Sequence, residues 1–308
     1  MNWRVYYSVN YGDSRLGCDE MEEDVTIYEM GPRDGLQNEK KLIATQDKIR
    51  LVDAITDCGF TKVEVTSFVS PKWVPQMSDA AEVLEGIDRN KDVTYAALTP
   101  NIKGFNRALS AQATEVAIFA AATEGFSQAN INCSIEASLA RFAPVLKAAR
   151  EHGILVRGCV SCVTDCPYDG EVDPASVVRV AKALTNMGCY EISLADTIGS
   201  GTPDQVAKML DAVLNELPAD RLAGHFHDTN GRALENIAVS LEKGLRVFDA
   251  SVGGLGGCPY APGATGNVAT EAVVDMVENM GYETGLNLEK LSQVAIFAQS
   301  LVQTNELF

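Results

Sequence analysis

From residue 25 onward the chain alternates two hydrophobic rhythms. Short runs rich in β-branched residues stand at 25–30, 62–68, 93–98, 115–121, 154–161, 190–196, 222–227 and 247–253. Near-continuous apolar runs of this length, bounded by turn residues, predict strands buried on both faces. Between them lie longer stretches with apolar positions three and four apart, the helical spacing. Examples are TQDKIRLVDAITDCG, SIEASLARFAPVLKAAREHG, DPASVVRVAKALTNMG and TPDQVAKMLDAVLNEL. Each opens on Thr, Ser or Asp, which predicts an N-cap, and the first three run to glycine, a stop signal. Eight strand–helix alternations require right-handed crossovers and a parallel sheet. The pattern therefore predicts a TIM (β/α)8 barrel, a single catalytic domain over 25–308, with an open doubly wound sheet as the alternative. A last helical stretch, 287–304, has no strand after it and is expected on the outside, at a subunit contact. Residues 1–24 read as an N-terminal arm, expected to be poorly ordered.

Composition narrows the function. No apolar run reaches the roughly 18 residues of a membrane span. The 42 acidic and 25 basic residues, net charge −17, argue against a nucleic-acid groove, which needs clustered Lys and Arg. An anionic small molecule held by a few local basic groups stays compatible with that charge. Eight cysteines at irregular spacings do not form the frame of a small disulfide-rich domain. A reducing compartment is expected, and the N-terminus, with no apolar signal core and an acidic CDEMEED, points to the cytoplasm.

The chain has three histidines, and two of them fall in GHFHDTNG, residues 224–231. Alternation along a strand turns His225 and His227 to one face, which reads as half of a metal site. In a TIM barrel the chemistry gathers at the carboxyl ends of the strands. There the first strand ends in GPRDGLQNE, the second carries Glu64, the sixth ends at Asp196, and the eighth leads into GGLGGCPYAPGATGN. Closure puts the first strand beside the eighth and the eighth beside the seventh, so Asp34, the two histidines and Asn267 can meet. Two imidazoles, a carboxylate and an amide oxygen suit Mg²⁺ or Mn²⁺, with Zn²⁺, Co²⁺ and Fe²⁺ compatible on ligand type.

Plainer readings compete for several pieces. Arg33 and Asp34 taken alone read equally well as a surface ion pair. Asp228 suits a helix cap or a group orienting a histidine, and His152 a charge complement at a helix C-terminus. The run CVSCVTDC (Cys159, Cys162, Cys166) lacks a second cysteine pair for a structural metal. GGLGG fits neither nucleotide fingerprint, since Pro259 interrupts one and the P-loop lysine is missing. Its glycines suit a closing loop that carries Cys258, a candidate proton donor.

EMGPRDGLQNE, TSFVSPKWVPQMSD, NINCSIEAS, MGCYEISLADTIG and GGLGGCPYAPGATGNVATE together resemble the 3-hydroxy-3-methylglutaryl-CoA lyase family, over Val25 to Phe308. The resemblance implies a metal-dependent retro-Claisen cleavage of that thioester to acetyl-CoA and acetoacetate. Its usual settings are leucine degradation and ketone-body formation. It implies a cation on Asp34, His225, His227 and Asn267, with Arg33 stabilising the thioester enolate and Cys258 protonating it. Asp34 or Asp196 would take the hydroxyl proton, Glu64 and Glu271 would support the arginine and the lid, and Arg33 and Gln37 would bind substrate. A homo-oligomer, a dimer, is expected. Ala195 stands where the family pattern has glycine, Phe226 and Asn230 differ from the residues of the animal enzymes, and APGATG varies the usual loop, which bears on the acyl side; a lyase for a longer-branched 3-hydroxyglutaryl-CoA stays open.

Two other classes compete. A condensing transferase of the isopropylmalate or citramalate synthase type shares the barrel, but carries an acid where this chain has Leu36. A 2-His-1-carboxylate iron oxygenase shares ligand types only, and a catalytically silent metal-binding scaffold would leave the converging polar groups without a task.

Overall fold

Eight parallel strands close into a barrel in the computed structural model, which describes residues 23–256 and 266–303. They are β1 (Thr26–Glu29), β2 (Lys62–Ser67), β3 (Thr94–Leu98), β4 (Glu115–Ala121), β5 (Leu155–Ser161), β6 (Glu191–Asp196), β7 (Leu222–Phe226) and β8 (Val247–Ala250). Every predicted strand is present, most with a boundary moved by a residue. The seam lies between β1 and β8, with Thr26 opposite Val247 and Glu29 opposite Ala250.

The outer ring comprises α1 (Thr45–Thr56), α2 (Ala80–Gly86), α3 (Ile102–Ser110), α4 (Glu124–Ile131), α5 (Ile135–His152), α6 (Pro174–Met187), α7 (Pro203–Leu214), α8 (Ala233–Glu242) and α9 (Thr270–Asn279). Caps fix several of these ends as the sequence predicts. The Ser134 and Asp173 side chains accept from Ala137 and Ala175, and Gly153 and Gly188 close α5 and α6 in the left-handed conformation. Thr202 and Gln205 form a reciprocal capping box on α7. Thr45 is an exception: it lies inside α1 behind an Ala44 cap, and its hydroxyl donates to Asp79 at 2.8 Å. The final helix, α10 (Leu288–Val302), packs against both α1 and α9 and so fills the seam of the ring. Its Gln299 amide donates to the Gly253 carbonyl at 3.1 Å, which buttresses the chain leaving β8.

The arm 1–24 lies outside the described residues except at its end. There Glu23 pairs with Arg246, and Asp24 bridges to Glu283, so these two residues are seated on the barrel floor.

Apolar side chains fill the space between barrel and helices as one continuous core, whereas the lumen is polar. Arg157 donates through Nε to Glu191 at 2.6 Å and through both terminal nitrogens to Asp249 at 3.0 and 2.7 Å. Tyr28 and Tyr190 each donate to Glu115 at 2.8 Å, and Lys62 donates to the Tyr190 hydroxyl at 2.9 Å. Arg157 also lies 4.3 Å over the Tyr28 ring. Charges buried this deeply persist only when paired and hydrogen-bonded, which is the arrangement here.

Candidate active site and metal centre

The β1–α1 connection opens with a wide five-residue turn, Gly31–Gly35, in which the amides of Arg33, Asp34 and Gly35 all donate to the Met30 carbonyl. Such widened turns recur at functional sites because they re-aim side chains. Both glycines are required by close approach. A Cβ on Gly31 would lie 2.6 Å from Glu29 Oε1, and one on Gly35 would lie 2.7 Å from Leu255 Cβ and from Ser251 Oγ. The turn sends Asp34 toward β7 and Arg33 toward β2.

Asp34, His225 and His227 converge, with ligand atoms all within 4.8 Å of one another. Asp34 Oδ2 lies 4.0 Å from His225 Nε2 and 3.8 Å from His227 Nε2. Asn267 follows β8, bridges to His227 through its backbone, and donates its amide to Asp34 Oδ2 at 2.9 Å and to the Leu255 carbonyl at 3.2 Å. Burial alone would raise the Asp34 carboxyl, but Arg33 and the two histidines reverse that and hold it well below the usual carboxylate range.

Arg33 is almost fully enclosed. Its Nε donates to Glu64 Oε2 at 2.6 Å, and Nη1 pairs with Asp34 Oδ1. Burial opposes its charge, yet the two carboxylates more than restore it, so Arg33 is held firmly cationic. Burial raises the Glu64 carboxyl, with the guanidinium pulling against it. Glu271, at the start of α9, accepts from the Gly253 amide at 3.0 Å and so braces the chain leaving β8. Gln37, half-buried, follows the wide turn. Asp196 is fully buried and has both oxygens engaged, Oδ1 by the Thr164 hydroxyl and Oδ2 by the Gly201 amide, each at 2.9 Å. It ties two mouth loops together beside His227. Asp228 accepts from the Ala233 amide at 3.0 Å, the helix-capping alternative for that residue. Cys258 lies outside the described residues.

Sequence reasoning missed the group that orients His225. Asp249 Oδ2 stands 3.0 Å from His225 Nδ1, which fixes the proton on Nδ1 and leaves Nε2 bare toward Asp34. Burial would raise Asp249, but Arg157 foremost and then His225 hold it well below its ordinary value, and the Ser193 hydroxyl donates to it at 2.9 Å. A signal was present: Arg157 and Asp249 sit inside strands whose apolar neighbours require burial.

The donor set fits a divalent cation, with one carboxylate and two imidazoles, one of them tautomer-locked.

These features define a class: a (β/α)8 barrel whose C-terminal mouth gathers a His–His–carboxylate cluster beside an enclosed arginine. The chain belongs to the HMGL-like family, whose model matches residues 24–297. It is 58% identical, over 88% of its length and 90% of the relative's, to the 3-hydroxy-3-isohexenylglutaryl-CoA/hydroxy-methylglutaryl-CoA lyase of Pseudomonas aeruginosa. It is also 58% identical to the mitochondrial hydroxymethylglutaryl-CoA lyase of Bos taurus, over 89% of this chain and 85% of that one. The crystal structure of the HMG-CoA lyase from Brucella melitensis superposes with a TM-score of 0.91 at 59% identity, covering 92% of this chain and all of that one.

Proposed function

We propose that this protein cleaves 3-hydroxy-3-methylglutaryl-CoA to acetyl-CoA and acetoacetate by a retro-Claisen reaction at the barrel mouth. The observation that carries the reading is the meeting of Arg33, Asp34, His225 and His227 at one mouth in a chain 58% identical to lyases of that name. Asp34, His225 and His227 would hold a divalent cation, Mg²⁺ or Mn²⁺, and Asn267, whose amide nitrogen faces Asp34 here, would complete the set through its oxygen once that amide turns over. Such a cation supplies Lewis acidity to the tertiary hydroxyl and offsets the negative charge that develops there.

The residues divide the remaining work. Asp34, the carboxylate facing the cluster, is the group assigned to take the hydroxyl proton; Asp196, sealed by its own hydrogen bonds, acts by positioning the loops. As the carbon–carbon bond breaks, its electrons move into the thioester. Arg33, held cationic and aimed by Glu64, stabilises the enolate oxygen, an interaction that strengthens as charge develops. Cys258 returns a proton to the enolate carbon, giving acetyl-CoA. Gln37 contributes to substrate binding from the same loop. Leu36 is fully buried, so the acid of the condensing synthases would be unpaired in the core here, which weighs against that alternative.

Acetoacetate release in a coupled assay with Mg²⁺, abolished by chelator and restored by metal, is the expected result. No acetoacetate with either cation would remove the assignment.

A second reading, activity on a longer 3-hydroxy branch, is favoured by the name of the Pseudomonas relative. Ala195 shares the lumen face of β6 with Ser193, so its methyl faces the lumen beside His225, its register partner, where the acyl branch would reach. Ala195→Gly is expected to raise the kcat/KM ratio of a longer-branched to the methyl substrate by about tenfold, the effect of a methylene-sized change in a pocket. An unmoved ratio assigns the branch preference elsewhere.

We further propose a homodimer, checked by sedimentation, and a cytoplasmic setting. The six described cysteines are all free thiols, as a reducing compartment requires. Among the described residues no helix is long and apolar enough to cross a membrane. Fractionation of the tagged chain separates the cytoplasm from the mitochondrial setting in the bovine relative's name.

A further inference from the structure

Glu29, the last residue of β1, is fully buried and takes no part in the chemistry above. Its Oε1 accepts from the Gly31 amide at 2.7 Å and from the Val252 amide at 2.9 Å, and its Oε2 accepts from the Thr270 hydroxyl at 2.7 Å. A single carboxylate thus ties the end of β1 to the wide turn, to the chain leaving β8 and to the start of α9. Each tie stands close to a working side chain. Gly31 opens the turn that carries Arg33 and Asp34, and Thr270 follows shortly after Asn267. Val252 precedes Gly253, whose amide donates to Glu271.

Charge compensation sets Glu29 apart from other buried acids. Glu64, Glu191 and Asp249 each face an arginine. The titratable groups that face Glu29 are Glu271 on α9 and the Cys58 thiol after α1, and neither supplies a positive charge. Burial favours the protonated form of such a carboxyl. The three donors suit the ionised form instead: a proton on Oε1 would point at two N–H groups, and one on Oε2 would force the Thr270 hydroxyl to turn round. Burial pushes the carboxyl up to about 7, with the Thr270 hydroxyl and the two amides pulling it down.

We propose that Glu29 is a positioning residue whose negative charge holds the Arg33–Asp34 turn in register with the stretch before α9 that carries Asn267. The inference rests on the reading of Asp34 and Asn267 as cation ligands and of Arg33 as the partner of the enolate. Ionised, Glu29 draws two amides and a hydroxyl onto one point. Protonated, it loosens one of those ties and lets the two segments shift apart.

Glu29→Gln keeps the size of the side chain without its charge, so it stands in for the protonated form at every pH. The ratio of variant to parent cancels the titration of groups that both proteins share, Glu64 among them. At about pH 6 the Mg²⁺ affinity from calorimetry, and kcat at saturating Mg²⁺, are expected to lie within about twofold of the parent. At about pH 8 both are expected to fall about tenfold below it with KM in place, the usual scale for a lost orienting contact. Chelated protein gives a readout free of cation and substrate. Since the folded carboxyl titrates above its unfolded value, the parent loses stability as pH rises from about 5 to about 7. The Tm of Glu29→Gln minus that of the parent is therefore expected to grow over that range and then level. Thr270→Val, which removes the Oε2 donor and keeps the carboxyl, is expected to weaken Mg²⁺ a few-fold at about pH 7 and to recover at about pH 9.

Variant-to-parent ratios that do not change with pH, or a flat Tm difference, overturn the proposal and leave Glu29 a structural acceptor while the lyase reading stands. The expected Mg²⁺ ratios in a protein that cleaves no thioester overturn the lyase reading and keep Glu29 as the residue that positions the cation site.

Discussion

A histidine is a useful ligand only when the correct nitrogen is bare, and here that condition is set one layer below the cluster. Asp249 fixes the His225 tautomer, and Arg157 and Ser193 fix Asp249. Asp249→Asn is expected to weaken divalent-cation affinity about 10- to 100-fold, measured by calorimetry, the usual effect of removing a ligand's orienting partner. Because it also strips Arg157 of a buried counter-charge, which costs about 3–5 kcal/mol, Ser193→Ala is the gentler companion. It leaves the pair intact and is expected to weaken the cation by a few-fold. Full affinity in both variants would show that His225 needs no orientation from below. Arg33 gives the complementary test. Arg33→Gln removes the charge proposed to face the developing enolate, and about 3 kcal/mol or more of transition-state stabilisation should be lost from kcat. Cation binding should survive, since Arg33 is not a ligand; turnover close to that of the parent chain would remove its role.

At the scale of elements, the wide turn after β1 is the device that splits two adjacent side chains between two tasks. Gly35→Ala places a methyl against Ser251 and Leu255 at 2.7 Å. Neither neighbour is the free end of a long side chain, so the turn must shift. The expected outcome is a loss of cation affinity of tenfold or more, because a small displacement of Asp34 opens the cluster, together with a lower Tm. Unchanged affinity would mean that the turn tolerates displacement. This element also marks how far sequence reading reaches. The strands were legible because each is a β-branched run between turn residues, and α5, α6 and α7 because capping residues announce their ends. The wide turn was not, since GPRDG has no periodicity and its geometry depends on Met30 offering one carbonyl to three amides. Thr45 misled for a related reason: a hydroxyl that suits a cap was engaged instead by Asp79, a tertiary contact from a distant loop. The histidines and Asp34 were legible through alternation and barrel closure. The burial of Asp249 could be read from its apolar strand neighbours, but its role could not, because that lies in a partner 24 residues away on the neighbouring strand.

For the molecule as a whole, the cluster at the mouth is expected to couple stability to a divalent cation. Most barrels of this type fill the interior with branched apolar side chains, whereas here Tyr28, Met30 and Ala96 form a small apolar cluster of their own beside a charged network. A folded state that gathers Asp34, His225 and His227 at one mouth gains from any cation that binds it and not the unfolded chain. The gain is RT ln(1 + [L]/Kd), about 2.7 kcal/mol when the free cation is a hundred times its Kd. For a domain of this size each kcal/mol moves Tm by roughly 2 °C, so adding Mg²⁺ or Mn²⁺ to chelated protein should raise Tm by about 5 °C. The rise should grow with the logarithm of cation concentration. His225→Ala should remove most of the increment while leaving the chelated Tm within a few degrees, because the ring is partly open to the mouth and its loss opens no sealed cavity. The same increment in parent and variant would mean that the stabilising ion sits elsewhere, and the cluster of Asp34, His225 and His227 would lose its claim to it.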